Sequence, residues 1–262
     1  MAFDVSKRVI FVTGAASGIG AGIAEVFAGE GADVIAADLS AARLTEEVDR
    51  INGLGLRGTV HATQLDVTDA AAVDRALDSV VATHGGIDAI VNSAGIFLEI
   101  DPFDIDTDAV RTVMEVNFFG TLNVCRSATR HLVARRGSIV NLATGGLDRP
   151  LPAQLAYVAS KAAVVELTRT MALALGRDGV RANAVAPGYI DTPMIRRNHT
   201  LPSGELSDEW EQQLEMYRSY SPLHAVGEPS DVAWLIVYLV SDEAKFVTGQ
   251  TFRPNGGFVV PR

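Results

Sequence analysis

Residues 8–20 read RVIFVTGAASGIG. Arg8–Thr13 is an apolar run of β character that stops at a glycine. Gly14, Gly18 and Gly20 follow, at the mouth of a stretch with helical period, Ile19–Gly29. Glycines at a strand-to-helix junction let backbone N–H groups approach a pyrophosphate, and the helix N-terminus adds a favourable dipole. A turn that serves only tight strand–helix packing is the plainer reading of such glycines. What favours a dinucleotide is Asp38, which closes the next apolar run, Asp33–Asp38 (DVIAAD). A carboxylate there accepts hydrogen bonds from both ribose hydroxyls of an adenosine. It also repels a 2′-phosphate. Leu39 offers no compensating cation, and Arg43 is the one nearby in sequence, so NAD is expected over NADP.

The same rhythm extends along the chain. Thr59–Asp66, Asp88–Ala94, Gly137–Ala143 and Arg181–Pro187 read as further strands, separated by helical stretches at Ala70–Thr83, Thr107–Ala134 and Ala156–Leu175. Strands that are nearly continuous in apolar character imply burial on both faces, as in a parallel sheet covered by helices. The expected fold is a doubly wound α/β domain with a mainly parallel sheet, spanning residues 1–262 as one unit. Thr192–Pro229 breaks the rhythm. It is polar and carries Trp210, Tyr217 and Tyr220, with helical spacing from about Ser207 to Tyr217. A surface helix or a lid over a pocket, about 193–225, both fit a connection of this length.

Composition narrows the function. The 48% hydrophobic content excludes a disordered chain. A net charge of −10 argues against a nucleic-acid or anionic-membrane partner, since both need a basic face. Cys125 is the single cysteine, which excludes an intrachain disulfide and fits a reducing compartment. The opening stretch shows no targeting pattern and the apolar run Ala233–Val240 is too short to span a bilayer, so a cytoplasmic protein is expected. His61, His84, His131, His199 and His224 show no metal-ligand spacing. They read as surface or helix residues, and no metal is expected.

Tyr157 and Lys161 are four residues apart at the start of a helical stretch, hence on one face. A free tyrosine is a poor base at neutral pH, but a neighbouring ammonium and a positive nicotinamide ring both favour its phenolate. Alone the pair reads as an ordinary amphipathic helix. Its co-occurrence with the glycine turn, with Thr144 beyond the fifth strand and with Asn117 in the preceding long helix favours chemistry.

With these residues in place the chain resembles a short-chain dehydrogenase/reductase, a Rossmann-fold family, from Lys7 to about Gly257. Thr13, Gly14, Gly18 and Gly20, with Ser17 and Ile19 among them, match the family's TGxxxGxG turn. The resemblance implies that Asp66 and Val67 meet the adenine. It matches Asn92-Ser93-Ala94-Gly95 to the family's Asn-Asn-Ala-Gly motif, and Asn117 to the asparagine that holds a water in a proton relay. It implies that Tyr157 is the general acid/base and that Lys161 binds the ribose. Pro187 and Gly188 match the turn beside the nicotinamide, with Ile190 and Thr192 at its carboxamide. Thr144 stands where the family usually has serine; it keeps the hydroxyl and adds a methyl. Asn255 stands where an aspartate often precedes the late glycine pair, a change expected to be structural.

The implied activity is NAD-dependent interconversion of a secondary alcohol and a ketone. Tyr157 would exchange the substrate proton and Thr144 would place the substrate oxygen. Phe97, Gly145, Leu147, Leu151, Tyr189 and the Met194–Ser221 segment are expected to line the substrate pocket, a mostly apolar set that suits a hydrophobic or cyclic substrate. Asp148 and Arg149 either contact a polar substituent or pair with each other. The resemblance further implies a homotetramer, assembled through the long helices and the last strand with its neighbouring helix. Two other readings stay open. One is a non-catalytic dinucleotide-binding regulator, which the intact Tyr–Lys pair disfavours. The other is a nucleotide-sugar epimerase or dehydratase, which the chain length disfavours.

Overall fold

The computed structural model describes residues 3–260. Among these residues seven strands form one sheet in the order β3-β2-β1-β4-β5-β6-β7. They are β1 (Val9–Thr13), β2 (Asp33–Asp38), β3 (Thr59–Gln64), β4 (Ala89–Asn92), β5 (Ser138–Leu142), β6 (Arg181–Val185) and β7 (Thr251–Phe252). Every pairing is parallel. The chain winds outward from β1 through β2 to β3, then returns to β4 on the other side of β1. That reversal opens a crevice beyond the carboxyl ends of β1 and β4, where ligands of such sheets bind.

Among the described residues, nine α-helices cover the sheet and its crevice: α1 (Gly18–Gly29), α2 (Ala41–Gly53), α3 (Ala70–His84), α4 (Thr107–Met114), α5 (Thr121–Arg135), α6 (Leu155–Leu175), α7 (Pro193–Arg196), α8 (Trp210–Ser219) and α9 (Pro229–Val240). The central strands β1, β4 and β5 are buried along their whole length because both faces are covered, whereas the edge strand β3 (TVHATQ) alternates buried and exposed residues. Along β1, Ile10 and Val12 join a core with Ile23 and Phe27 of α1, Leu44 of α2 and Ile236 of α9. Val9 and Phe11 point the other way, into a core with Leu77 of α3, Leu132 of α5 and Ala172 of α6.

The helical pattern over Thr107–Ala134 folds as one continuous run from α4 to α5, interrupted by a π-helical segment, Glu115–Gly120. Single π turns inside helices occur often at functional sites. This one carries Asn117, which is fully buried. The helical spacing read from Ser207 to Tyr217 corresponds to α8. Among the described residues, no helix is long and apolar enough to cross a membrane.

Candidate active site

Thr13 ends β1 with its side chain buried, and its Oγ1 accepts hydrogen bonds from the N–H groups of Ser93 (3.2 Å) and Ala94 (3.1 Å). This pulls the loop after β4 against the glycine turn. Gly14 adopts φ +68°, and a Cβ there would lie 2.8 Å from the backbone of Ala94. A Cβ on Gly20 would collide with the carbonyl oxygen of Gly14. The turn therefore requires glycine at both positions on steric grounds. Asp38 is fixed from two sides: its carboxylate accepts from the N–H of Ala16 at 3.2 Å and from the N–H of Ser40 at 3.0 Å.

These elements wall a groove of about 390 Å³ that runs over Gly14, Ser17, Gly18, Ile19, Gly20, Asp38, Leu39, Asp66, Val67, Ala94, Gly95, Lys161 and Thr192. Arg43 also lines it. Asp66 accepts from the N–H (2.9 Å) and hydroxyl (2.7 Å) of Thr68, which holds its carboxylate at the groove wall. Asn92 is not on the wall. It is buried beneath the groove and donates from Nδ2 to Asn141 Oδ1 at 2.8 Å, tying β4 to β5. The bare backbone over Gly14 and the prepositioned carboxylate of Asp38 fit the pyrophosphate and ribose of a dinucleotide.

A second cavity, of about 360 Å³, opens beside the groove. Phe97, Gly145, Leu151 and Tyr189, expected at a substrate pocket, line it together with Thr144. Pro187, Gly188 and Ile190, expected at the cofactor, line this cavity and not the groove, because the loop after β6 passes on its far side. Leu147 does not. Its side chain turns inward and packs on the small cluster of Ala143, Val165, Ala184 and Ala186. Thr192 and Tyr157 face both spaces.

Tyr157 and Lys161 share the inner face of α6 but have different neighbours. Lys161 is 3% exposed, and its Nζ donates to the carbonyl of Leu142 at 2.8 Å. Burial lowers its pKa to about 8, because the charged ammonium loses hydration. Burial pushes the Tyr157 hydroxyl above its ordinary value, while the Thr144 hydroxyl, hydrogen-bonded to it, works the other way. The expected lowering by Lys161 is not what the protein alone provides, since its ammonium is directed to Leu142. Thr144 Oγ1 accepts from the N–H of Gly146 at 3.1 Å. That bond fixes the oxygen and leaves its proton free to point at Tyr157 or at a substrate oxygen.

Asn117 lies off both cavities. Its Oδ1 accepts from the N–H of Ile96 (2.8 Å), and its Nδ2 donates to the Ile96 carbonyl (3.0 Å) and to Ser160 Oγ (3.0 Å). The amide thus clamps the loop carrying Gly95 and Ile96 onto α6. A Cβ at Gly95 would lie 3.2 Å from Asn117 Oδ1 and 3.3 Å from Lys161 Nζ, so these groups converge on one point.

The long connection supplies the outer wall. Tyr217 of α8 stacks on Tyr189 at 4.1 Å between ring centroids, and Trp210 anchors the start of the helix by burial. Asp148 and Arg149 do not pair with each other: Asp148 binds Arg253 at 2.6 Å, and Arg149 lies 5.1 Å from the ring centroids of both Tyr220 and Phe258. Arg197 covers the Phe97 ring at 4.1 Å and pairs with Glu99. Sequence reasoning missed Phe258, Glu99 and Gln154 as cavity residues, and no local signal marks them. Asn255 acts within the C-terminal turn, where it accepts from Gly257 N–H and donates to the Val259 carbonyl, both at 2.9 Å.

The family model described as enoyl-(acyl carrier protein) reductase matches residues 14–259. A 3-oxoacyl-[acyl-carrier-protein] reductase of Thermotoga maritima is 38% identical, over 97% of this chain and 98% of its own. Galactitol 2-dehydrogenase of Agrobacterium fabrum is 33% identical, over 97% of this chain and 98% of its own. Among solved structures, a short-chain type dehydrogenase/reductase from Mycobacterium ulcerans superposes with a TM-score of 0.88 at 32% identity, over 97% of this chain and 90% of that one. The chain belongs to the short-chain dehydrogenase/reductase family, oxidoreductases that bind a nicotinamide dinucleotide.

Proposed function

We propose that this protein is an NAD-dependent oxidoreductase that interconverts a secondary alcohol and its ketone. The observation that carries the reading is the position of Tyr157: it is the ionisable side chain on the wall shared by the dinucleotide groove and the apolar cavity. The relatives named above include reductases and dehydrogenases of such groups, which supports the reaction class.

Gly14, Gly18 and Gly20 would hold the pyrophosphate, Asp38 the adenosine ribose, Asp66 and Val67 the adenine, and Lys161 the nicotinamide ribose. Ile190 and Thr192 would bind the carboxamide beside Pro187 and Gly188. When bound, the nicotinamide supplies hydride transfer and a positive charge in its oxidised form. In alcohol oxidation Tyr157 accepts the hydroxyl proton; in ketone reduction it donates the proton to the same oxygen. Thr144 hydrogen-bonds that oxygen and aims it. Asn117, by clamping the Gly95–Ile96 loop onto α6, positions that loop beside Lys161.

Phe97, Leu151, Tyr189, Tyr217 and Phe258 favour a hydrophobic or cyclic substrate, covered by the segment 193–225 as a lid. The reading includes a homotetramer formed through α4–α5, α6, β7 and α9; half-exposed Trp234 and fully exposed Phe246 near these elements support it. Light scattering giving the mass of one chain would remove that part. An assay at the reduced-nicotinamide band, run across secondary alcohols with NAD⁺, tests the activity. Turnover excludes the non-catalytic regulator, and cofactor binding without turnover on any alcohol or ketone supports it.

A further inference from the structure

At the opposite end of the sheet from the groove, three side chains meet that have no part in the chemistry above. Asp33 opens β2, His61 is the third residue of β3, and His84 ends α3. In the β2–β3 register Asp33 pairs with Thr59 and Ile35 with His61, so Asp33 and His61 are diagonal neighbours on one face of the sheet. Ile35 identifies that face: it packs on Leu77 and Val80 of α3. Helix α3 crosses this face and stops where Gly85 turns left-handed at φ 79°, which brings His84 over the two strand residues.

The two carboxylate oxygens of Asp33 are shared between the two imidazoles. Oδ1 lies 3.5 Å from His61 Nε2 and Oδ2 lies 3.7 Å from His84 Nδ1. Both separations exceed the 2.7–3.2 Å of a good hydrogen bond. The first matches the spacing of two ligand atoms on one tetrahedral ion, about 3.3–3.6 Å when each bond is about 2.0–2.2 Å long, and the second is slightly wider. The three ligand atoms all lie within 4.8 Å of one another. The imidazole rings meet edge to face, with centroids 4.8 Å apart, so small side-chain rotations close the set. Half-exposure of Asp33 and His61 gives an ion access, and an adjoining groove of about 500 Å³ leaves room for water ligands.

We propose that Asp33, His61 and His84 bind one divalent transition-metal ion of the zinc type, with water completing its coordination. Two neutral imidazoles and one carboxylate select such an ion over magnesium or calcium, which take all-oxygen sets. β3 is the outermost strand on its side of the sheet, and the ion joins it to β2 and to the end of α3. Asp33 and Asp38 are the two ends of one strand, about 17 Å apart at about 3.3 Å per residue. The ion therefore acts as a brace at the sheet edge and takes no part in hydride or proton transfer.

Tag-free protein, stripped with chelator, is titrated with Zn²⁺ against a chromophoric indicator and with Co²⁺ followed by its d–d absorption. One ion per chain is expected, with a Co²⁺ spectrum of low coordination number and a higher Tm in the presence of Zn²⁺. His61→Gln and His84→Gln should each weaken binding more than about 100-fold, beyond the loss seen when only a supporting group is removed. Both should leave the metal-free Tm close to wild type, and His131→Gln should bind as wild type does. No stoichiometric binding, or binding indifferent to His61→Gln and His84→Gln, overturns the proposal.

Discussion

Lys161 and Tyr157 stand one turn apart on α6, yet the ammonium is spent on the Leu142 carbonyl at 2.8 Å and lies 6.0 Å from the centre of the tyrosine ring. The buried lysine is held by a single neutral acceptor rather than by a carboxylate. Its placement favours a hydroxyl ligand arriving from the groove. It also leaves a titration signature in the protein itself.

Burial lowers Lys161 from 10.5 to about 8 in the folded state. Between these values the unfolded chain binds the extra proton, so this group makes stability rise with pH, by up to about 3 kcal/mol in total. Cys125 opposes it above pH 9, because burial moves that thiol from 9.0 to about 12. The clean window is therefore pH 8–9. Urea unfolding at several pH values should show the rise in wild type and a flatter profile in Lys161→Met. Equal slopes in the two would contradict the assignment.

Asp38 should set cofactor choice: two backbone N–H groups fix its carboxylate, and in the binding mode proposed above that charge would repel a 2′-phosphate. Asp38→Ala should lower kcat/KM for NAD(H) by about 10–100-fold, as charged hydrogen bonds are worth about 1.5–3 kcal/mol. The preference over NADP(H) should narrow at the same time. Wild-type protein that prefers NADP(H) would instead point to Arg43, which lines the same groove.

Thr144 tests whether a hydroxyl is all that this position needs. Thr144→Ser keeps the oxygen that accepts from Gly146 N–H, and should stay within a few-fold of wild type. Thr144→Ala should cost about 10²–10³-fold in kcat, the usual cost of losing one well-aimed donor. Comparable kcat for the two variants would remove the hydroxyl from the mechanism.

Much of this site was legible because its motifs are local. The glycine turn, Asp38 and the Tyr157–Lys161 spacing each lie within one strand–helix unit, and the apolar strands betray a sheet covered on both faces. What escaped the sequence depends on distant partners. Phe258 reaches the cavity from the end of the chain, and Asp148 prefers Arg253, 105 residues away, to its neighbour Arg149. The π segment around Asn117 leaves no trace in a helical pattern, because apolar periodicity barely changes over one widened turn. Leu147 is expected in the pocket with its neighbour Gly145, but it closes a short 3₁₀ turn, Gly145–Leu147, and packs on the small cluster of Ala143, Val165, Ala184 and Ala186, which only the fold assembles. His61 and His84 show no ligand spacing along the chain, and only the crossing of α3 over β2 and β3 brings them to Asp33.

Gly14→Ala should separate the groove from the catalytic pair. A left-handed backbone costs a non-glycine residue roughly 1–2 kcal/mol. The added methyl must also displace the Ala94 backbone 2.8 Å away. Cofactor affinity, read by NADH fluorescence, should fall sharply, along with a loss of Tm. Undiminished NADH binding would place the dinucleotide elsewhere.

The most direct test is Tyr157→Phe. The substitution keeps the ring, its edge-to-face contact with Phe97 at 5.2 Å and the packing of α6, and deletes only the hydroxyl. Turnover should fall roughly 10²–10⁴-fold, about 3–5 kcal/mol in barrier, while NADH fluorescence titration gives wild-type affinity. Near wild-type turnover would mean that another group handles the proton, and would contradict the mechanism.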